Sequence, residues 1–71
     1  MNKKELISAF EAVLFASGEP MSIERFSQVF EISPDEVIEE MDALSQKLIK
    51  NSNGFELVRL ENMYKKKKKK E

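Results

Sequence analysis

Residues 17–36, SGEPMSIERFSQVFEISPDE, decide the fold, because within one short stretch they end a helix, hold a second and open a third. Gly18 stands where a left-handed helix cap favours a residue without a Cβ. Pro20 pushes Glu19 towards extended geometry, so a short extended piece is expected near Met21. Ser22 is a good N-cap for a short second helix in which Ile23, Phe26, Val29 and Phe30 point inward. Glu31-Ile32 is a tight connection. Ser33-Pro34-Asp35-Glu36 then has the pattern of a capping box. The Ser33 hydroxyl accepts from the Glu36 N–H, the Glu36 carboxylate reaches back to the Ser33 N–H, and Pro34 sits where no N–H is required.

Upstream, the spacing predicts a first helix from about Lys3 to Ser17, with Leu6, Phe10, Val13 and Leu14 on one apolar face and Ile7 beside them. Downstream, the third helix runs to about Lys50, burying Val37, Met41, Leu44 and Leu48 with Ile38 alongside. Asn51-Ser52-Asn53-Gly54 is turn chemistry. Phe55 to Leu60 reads as a strand, with Phe55 and Leu57 on one face and Val58 and Leu60 on the other. Leu60 is expected to bend back and finish the core beneath the third helix. Glu61-Asn62 is a two-residue turn, and Met63-Tyr64 begins a returning strand. Three helices, a hairpin and a short extended piece near Met21 follow the order of a winged-helix domain, mainly α with a small β-hairpin, over residues 1–64. Lys65 to Lys70 then offer no apolar–polar alternation. Residues 65–71 are therefore read as a lysine-rich tail outside the fold.

The 71 residues include no cysteine and no histidine, which removes disulfides, thiolate nucleophiles, Cys/His zinc sites and imidazole acid–base chemistry together. Twelve basic residues nearly balance thirteen acidic ones, for a net charge of −1. That total hides a split: residues 1–64 hold six bases against twelve acids, a net −6, and the last seven residues carry +5. No apolar run approaches the roughly 20 residues of a membrane span, and no signal-peptide pattern precedes the first helix, so a soluble intracellular domain is expected. Seven serines have no histidine base, the two glycines are too far apart for a phosphate loop, and the carboxylates have no evident cleft to separate their pKa values. The chain is not expected to be an enzyme, and no cofactor or metal is implied.

Charge also bears on nucleic acid. The third helix carries Asp35, Glu36, Glu39, Glu40 and Asp42, with Lys47 and Lys50 only at its end, and this opposes phosphate. Direct DNA binding through that helix is not expected. The first helix shows a different surplus, with Phe15 flanked by Ala9, Ala12 and Ala16 away from the core stripe. Phe15 either packs beneath the hairpin or second helix, or anchors a self-association surface on which small alanines permit close approach. Apolar residues on both hairpin faces extend the candidate interface to Val58. Lys65, Lys66, Lys67, Lys68, Lys69 and Lys70 form a candidate nonspecific electrostatic arm, with charge but no aromatic for stacking.

Phe10 to Ser22, FEAVLFASGEPMS, resembles the opening of the segregation and condensation protein B family. Ile32 to Val37 looks like that family's entry into its third helix, and Gly54 to Val58 like its first wing strand. The resemblance implies a bacterial, cytoplasmic and nucleoid-associated protein with two tandem winged-helix domains. It also implies a homodimer that binds the kleisin subunit of bacterial condensin, and through it a structural-maintenance-of-chromosomes ATPase. The role implied is chromosome condensation and segregation during cell division, and this chain would be the first of the two domains. After Tyr64 the family continues its wing with a strand of the Y-x-L kind, from which the six lysines depart. The competing reading is a winged-helix DNA-binding regulator that uses its wing and basic tail.

Overall fold

The computed structural model describes residues 2–51 and 54–68. The element order is α1 (Lys3–Ser17), β1 (Met21–Ser22), α2 (Ile23–Phe30), α3 (Pro34–Asn51), β2 (Phe55–Leu60) and β3 (Met63–Lys68). Local chemistry accounts for most boundaries. The Asn2 side chain accepts from the Glu5 N–H at 2.8 Å and starts α1, while Gly18, at φ 69°, ends it in the left-handed region. Ser22 caps α2 by accepting from the Arg25 N–H at 3.0 Å, and Ser33 caps α3 by accepting from the Glu36 N–H at 3.2 Å. Part of the expected turn, Ser52-Asn53, lies outside the described residues, as do Lys69, Lys70 and Glu71.

The three strands form one antiparallel sheet in the order β1-β3-β2. Tyr64 pairs with Met21 on one side and Arg59 on the other, so the two-residue β1 completes the sheet beside the hairpin. The Ile23 N–H also donates to the Asn62 carbonyl at 2.7 Å, fastening the start of α2 to the wing turn. Leu6, Phe10 and Leu14 of α1, Ile23 and Phe26 of α2, and Val37, Met41, Leu44 and Leu48 of α3 meet Tyr64 of β3 in one core. Phe10 lies at its centre, its ring centroid 4.8 Å from those of both Phe26 and Phe30. Helical core, short first strand and hairpin make this a winged helix.

Three expectations are corrected. First, β3 does not stop at Tyr64: Lys65 to Lys68 continue it, paired with Val58, Leu57, Glu56 and Phe55. These four lysines belong to the fold. A strand sends successive side chains to opposite faces, so only alternate lysines turn inward, and a lysine stem is long enough to carry its ammonium to the domain's edge. Second, Leu60 does not bend back to finish the core; it is 44% exposed. Regular pairing with Met63 holds it on the face opposite Leu57, three residues away and hence of opposite parity. Third, Val29 is 58% exposed. It lies about 100° round the helix from Phe30, and the aromatic cluster has turned Phe26 and Phe30 inward instead.

Candidate interaction surfaces

The seam between α1 and the base of the hairpin is built around Phe15. Its ring centroid lies 5.2 Å from that of Phe55, and the side chain is half-buried against the core. Of the two expected positions for Phe15, this is the one beneath the hairpin. The Lys66 ammonium completes the arrangement: Nζ lies 4.8 Å from the Phe15 ring centroid and 5.5 Å from that of Phe55, and it donates to the Phe15 carbonyl at 2.8 Å. That carbonyl belongs to the last turn of α1, where the backbone acceptors lack helical partners and the dipole favours a cation. One member of the lysine run thus ties the last turn of the first helix to the last strand. The signal for it lay in parity: once Tyr64 points inward, Lys66 and Lys68 must follow.

On the outward side of α1, Ala12 and Ala16 are exposed and Ala9 is half-buried. They leave a small-residue surface beside the edge of Phe15. Val58 is not part of it. The face of the sheet that meets the helices carries Leu57 and Tyr64, so by alternation Glu56, Val58, Leu60, Met63, Lys65 and Lys67 share the opposite, outer face. The structure therefore brings Ala9, Ala12, Phe15 and Ala16 together and separates Val58 from them. On the outer face Leu60 stands opposite Met63, which is 37% exposed, Val58 opposite Lys65, and Glu56 opposite Lys67. Of the lysine candidates, Lys66 is committed internally, Lys65 and Lys67 line the outer face, and Lys68 is exposed on the inner side.

Helix α3 presents Asp35, Glu36, Glu39 and Asp42 to solvent, but Glu40 is only 1% exposed. Its Oε1 stands 3.9 Å from the Lys3 ammonium, a long contact, and its Oε2 has no hydrogen-bond partner among the described residues. Its charge alone places Glu40 with the exposed acids of α3, but its position three residues after Val37 and four before Leu44 puts it on the core stripe. Lys47 reaches across to Glu11 at 2.8 Å and links α3 to α1. Beside that pair lies an open groove of about 690 Å³ whose lining carries charges of both signs, Lys4, Lys47 and Lys50 with Glu5. Burial raises the pKa of the Tyr64 phenol above its ordinary value; the nearby Arg59 guanidinium offsets part of that rise and Asp42 adds to it. Among the described residues no helix is long and apolar enough to cross a membrane.

A family model described as segregation and condensation complex subunit ScpB matches residues 8–71. Segregation and condensation protein B of Shouchella clausii (strain KSM-K16) is 36% identical over 59 residues, covering 82% of this chain and 31% of the relative. The chain thus spans about a third of that relative's length. Among solved structures, a dimer of the ScpB N-terminal domain complexed with ScpA peptide superposes with a TM-score of 0.86 at 29% identity, covering 94% of this chain and 84% of that one. ScpB from Mycobacterium tuberculosis has a TM-score of 0.86 at 16% identity, covering 97% of this chain and 43% of its own. A conserved hypothetical protein from Chlorobium tepidum has 0.82 at 23%, covering 94% and 43%. At those identities the last two speak for the fold alone. The chain belongs to the segregation and condensation complex subunit ScpB family.

Proposed function

We propose that this domain is a non-enzymatic scaffold module of a bacterial condensin. It self-associates as a homodimer and supports binding of a kleisin segment, and through the kleisin it joins a structural-maintenance-of-chromosomes ATPase at the nucleoid in the cytoplasm. The observation that carries this reading is the likeness, over 94% of the chain, to an ScpB N-terminal domain that is itself a dimer bearing an ScpA peptide. The charge distribution agrees with it: an α3 surface of Asp35, Glu36, Glu39 and Asp42 repels a phosphate backbone. For self-association we assign the α1 face of Ala9, Ala12 and Ala16 around the edge of Phe15, where small side chains let two helices approach closely.

Sedimentation equilibrium tests this directly. The chain is expected at twice its monomer mass, and Ala12→Glu, on an exposed position that the fold does not use, is expected to shift it to monomer with its circular dichroism unchanged. Titration calorimetry with an ScpA-type kleisin segment is expected to show binding to the dimer. A chain that remains monomeric at every concentration and takes no kleisin segment overturns the proposal.

A further inference from the structure

The outer face of the sheet changes character along its length. At the turn end Leu60 and Met63 face one another across the hairpin, both substantially exposed. In the middle half-buried Val58 faces Lys65, and at the base Glu56 faces Lys67. Neither Lys65 nor Lys67 forms an ion pair within 4 Å among the described residues. The helices pack on the other side, against Leu57 and Tyr64. The result is a graded surface, apolar at one end and cationic at the other, that no element of this chain covers among the described residues.

We propose that this face is the docking surface for a segment of a partner polypeptide with apolar side chains at one end and carboxylates at the other. The gradient sets both orientation and spacing. Met63 and Lys67 are four residues apart on one strand, about 13 Å, so the carboxylates must fall about that far from the apolar anchor. Charge complementarity selects the occupant. A phosphate backbone would satisfy Lys65 and Lys67, but it offers nothing to Leu60 and Met63. A second copy brought face to face in parallel would set lysine against lysine. This inference rests on the reading of the domain as a scaffold that accepts a polypeptide, and it adds where that polypeptide lies and what its side chains must be.

Methyl-labelled NMR on the whole chain is the test, with a short synthetic peptide carrying leucines at alternate positions followed by glutamates at alternate positions. Controls are the same peptide with lysines for glutamates, and a DNA duplex. Shifts are expected at the Val58, Leu60 and Met63 methyls with the acidic peptide alone. Affinity is expected to fall about tenfold in Leu60→Asp and in the double variant Lys65→Glu/Lys67→Glu. Leu60, Lys65 and Lys67 all lie outside the core, so both variants are expected to fold, and their circular dichroism checks it. Equal responses to both peptides, no methyl shifts, or shifts produced by DNA instead overturn the assignment. Loss of the dimer in Leu60→Asp also overturns it, by giving the face to a second copy. If dimerisation and kleisin-segment binding persist unaltered in both variants, the docking surface alone fails; if the unaltered chain shows neither, the scaffold reading beneath it fails.

Discussion

Lys66 and Lys67 are neighbours of one chemical type in one strand, yet they do different things. Lys66 donates to the Phe15 carbonyl and lies over two rings, whereas Lys67 projects from the outer face. Lys66→Gln is expected to cost about 1–2 kcal/mol, from a charge-assisted hydrogen bond and a partly shielded cation–π contact. Lys67→Gln is expected to fall within about 0.5 kcal/mol of the parent, and urea denaturation of the pair reads the difference. Tyr64 supplies a pH signature. Its folded pKa is raised by burial, so the fold holds the phenol proton more tightly than the unfolded chain does. The stability this contributes is full below the unfolded value of about 10 and is lost as pH rises from there through the raised folded value. Tyr64→Phe is expected to flatten the alkaline fall in Tm relative to the parent, once lysine titration common to both is subtracted. Glu40 shows the limit of residue-level reading: spacing puts it on the core stripe, but charge argues for solvent, and only packing decides between them.

At the scale of elements, most of the fold was legible because its boundaries are made by local chemistry. Gly18, the Ser22 cap and Ser33-Pro34 act through the backbone within one turn, so they work the same way before any tertiary contact exists. Ser22→Ala is expected to destabilise by about 1 kcal/mol, seen as a lower denaturation midpoint with an unchanged slope. Glu31→Gly is expected to do the opposite by about 0.5–1 kcal/mol, because Glu31 ends α2 at φ 56°, where a Cβ is strained. Thermal denaturation of the two variants against the parent checks both signs. The eight-residue α2 was less legible in its facing than in its extent. Ile23, Phe26, Val29 and Phe30 offer more apolar positions than so short a helix can turn inward. The cluster with Phe10 takes two of them, Phe26 and Phe30, Ile23 is buried as well, and Val29 is left in solvent.

For the whole molecule, the near-neutral total charge averages over regions of opposite sign. Acids crowd the exposed side of α3, and lysines crowd the base of the hairpin that closes the fold. Because Lys65 to Lys68 pair with Val58 to Phe55, a chain cut after Tyr64 is expected to lose the far half of the hairpin and the Lys66 tie to α1. Several backbone hydrogen bonds at about 0.5–1.5 kcal/mol each make that a loss of at least about 2 kcal/mol. Melting the full chain against residues 1–64 tests it: equal midpoints would mean that the lysines contribute nothing to the fold.

The sequence by itself determined the order of elements, the caps that bound the helices, the two hairpin strands as far as Tyr64 and the absence of thiol and imidazole chemistry. Each of these depends on a residue and its near neighbours. Tertiary structure alone decided that a homopolymeric lysine run becomes a strand, since β2 supplies both the hydrogen-bond partners and the apolar half of the shared face. It also decided that Leu60 and Met63 stay in solvent, because strand register sets their side of the sheet, and that Phe15 faces Phe55 and Lys66 beneath the hairpin. Val58 and the alanines of α1 are alike in the sequence as small or branched apolar residues of one candidate interface. They form separate surfaces because a sheet has two sides and helix α1 packs on only one.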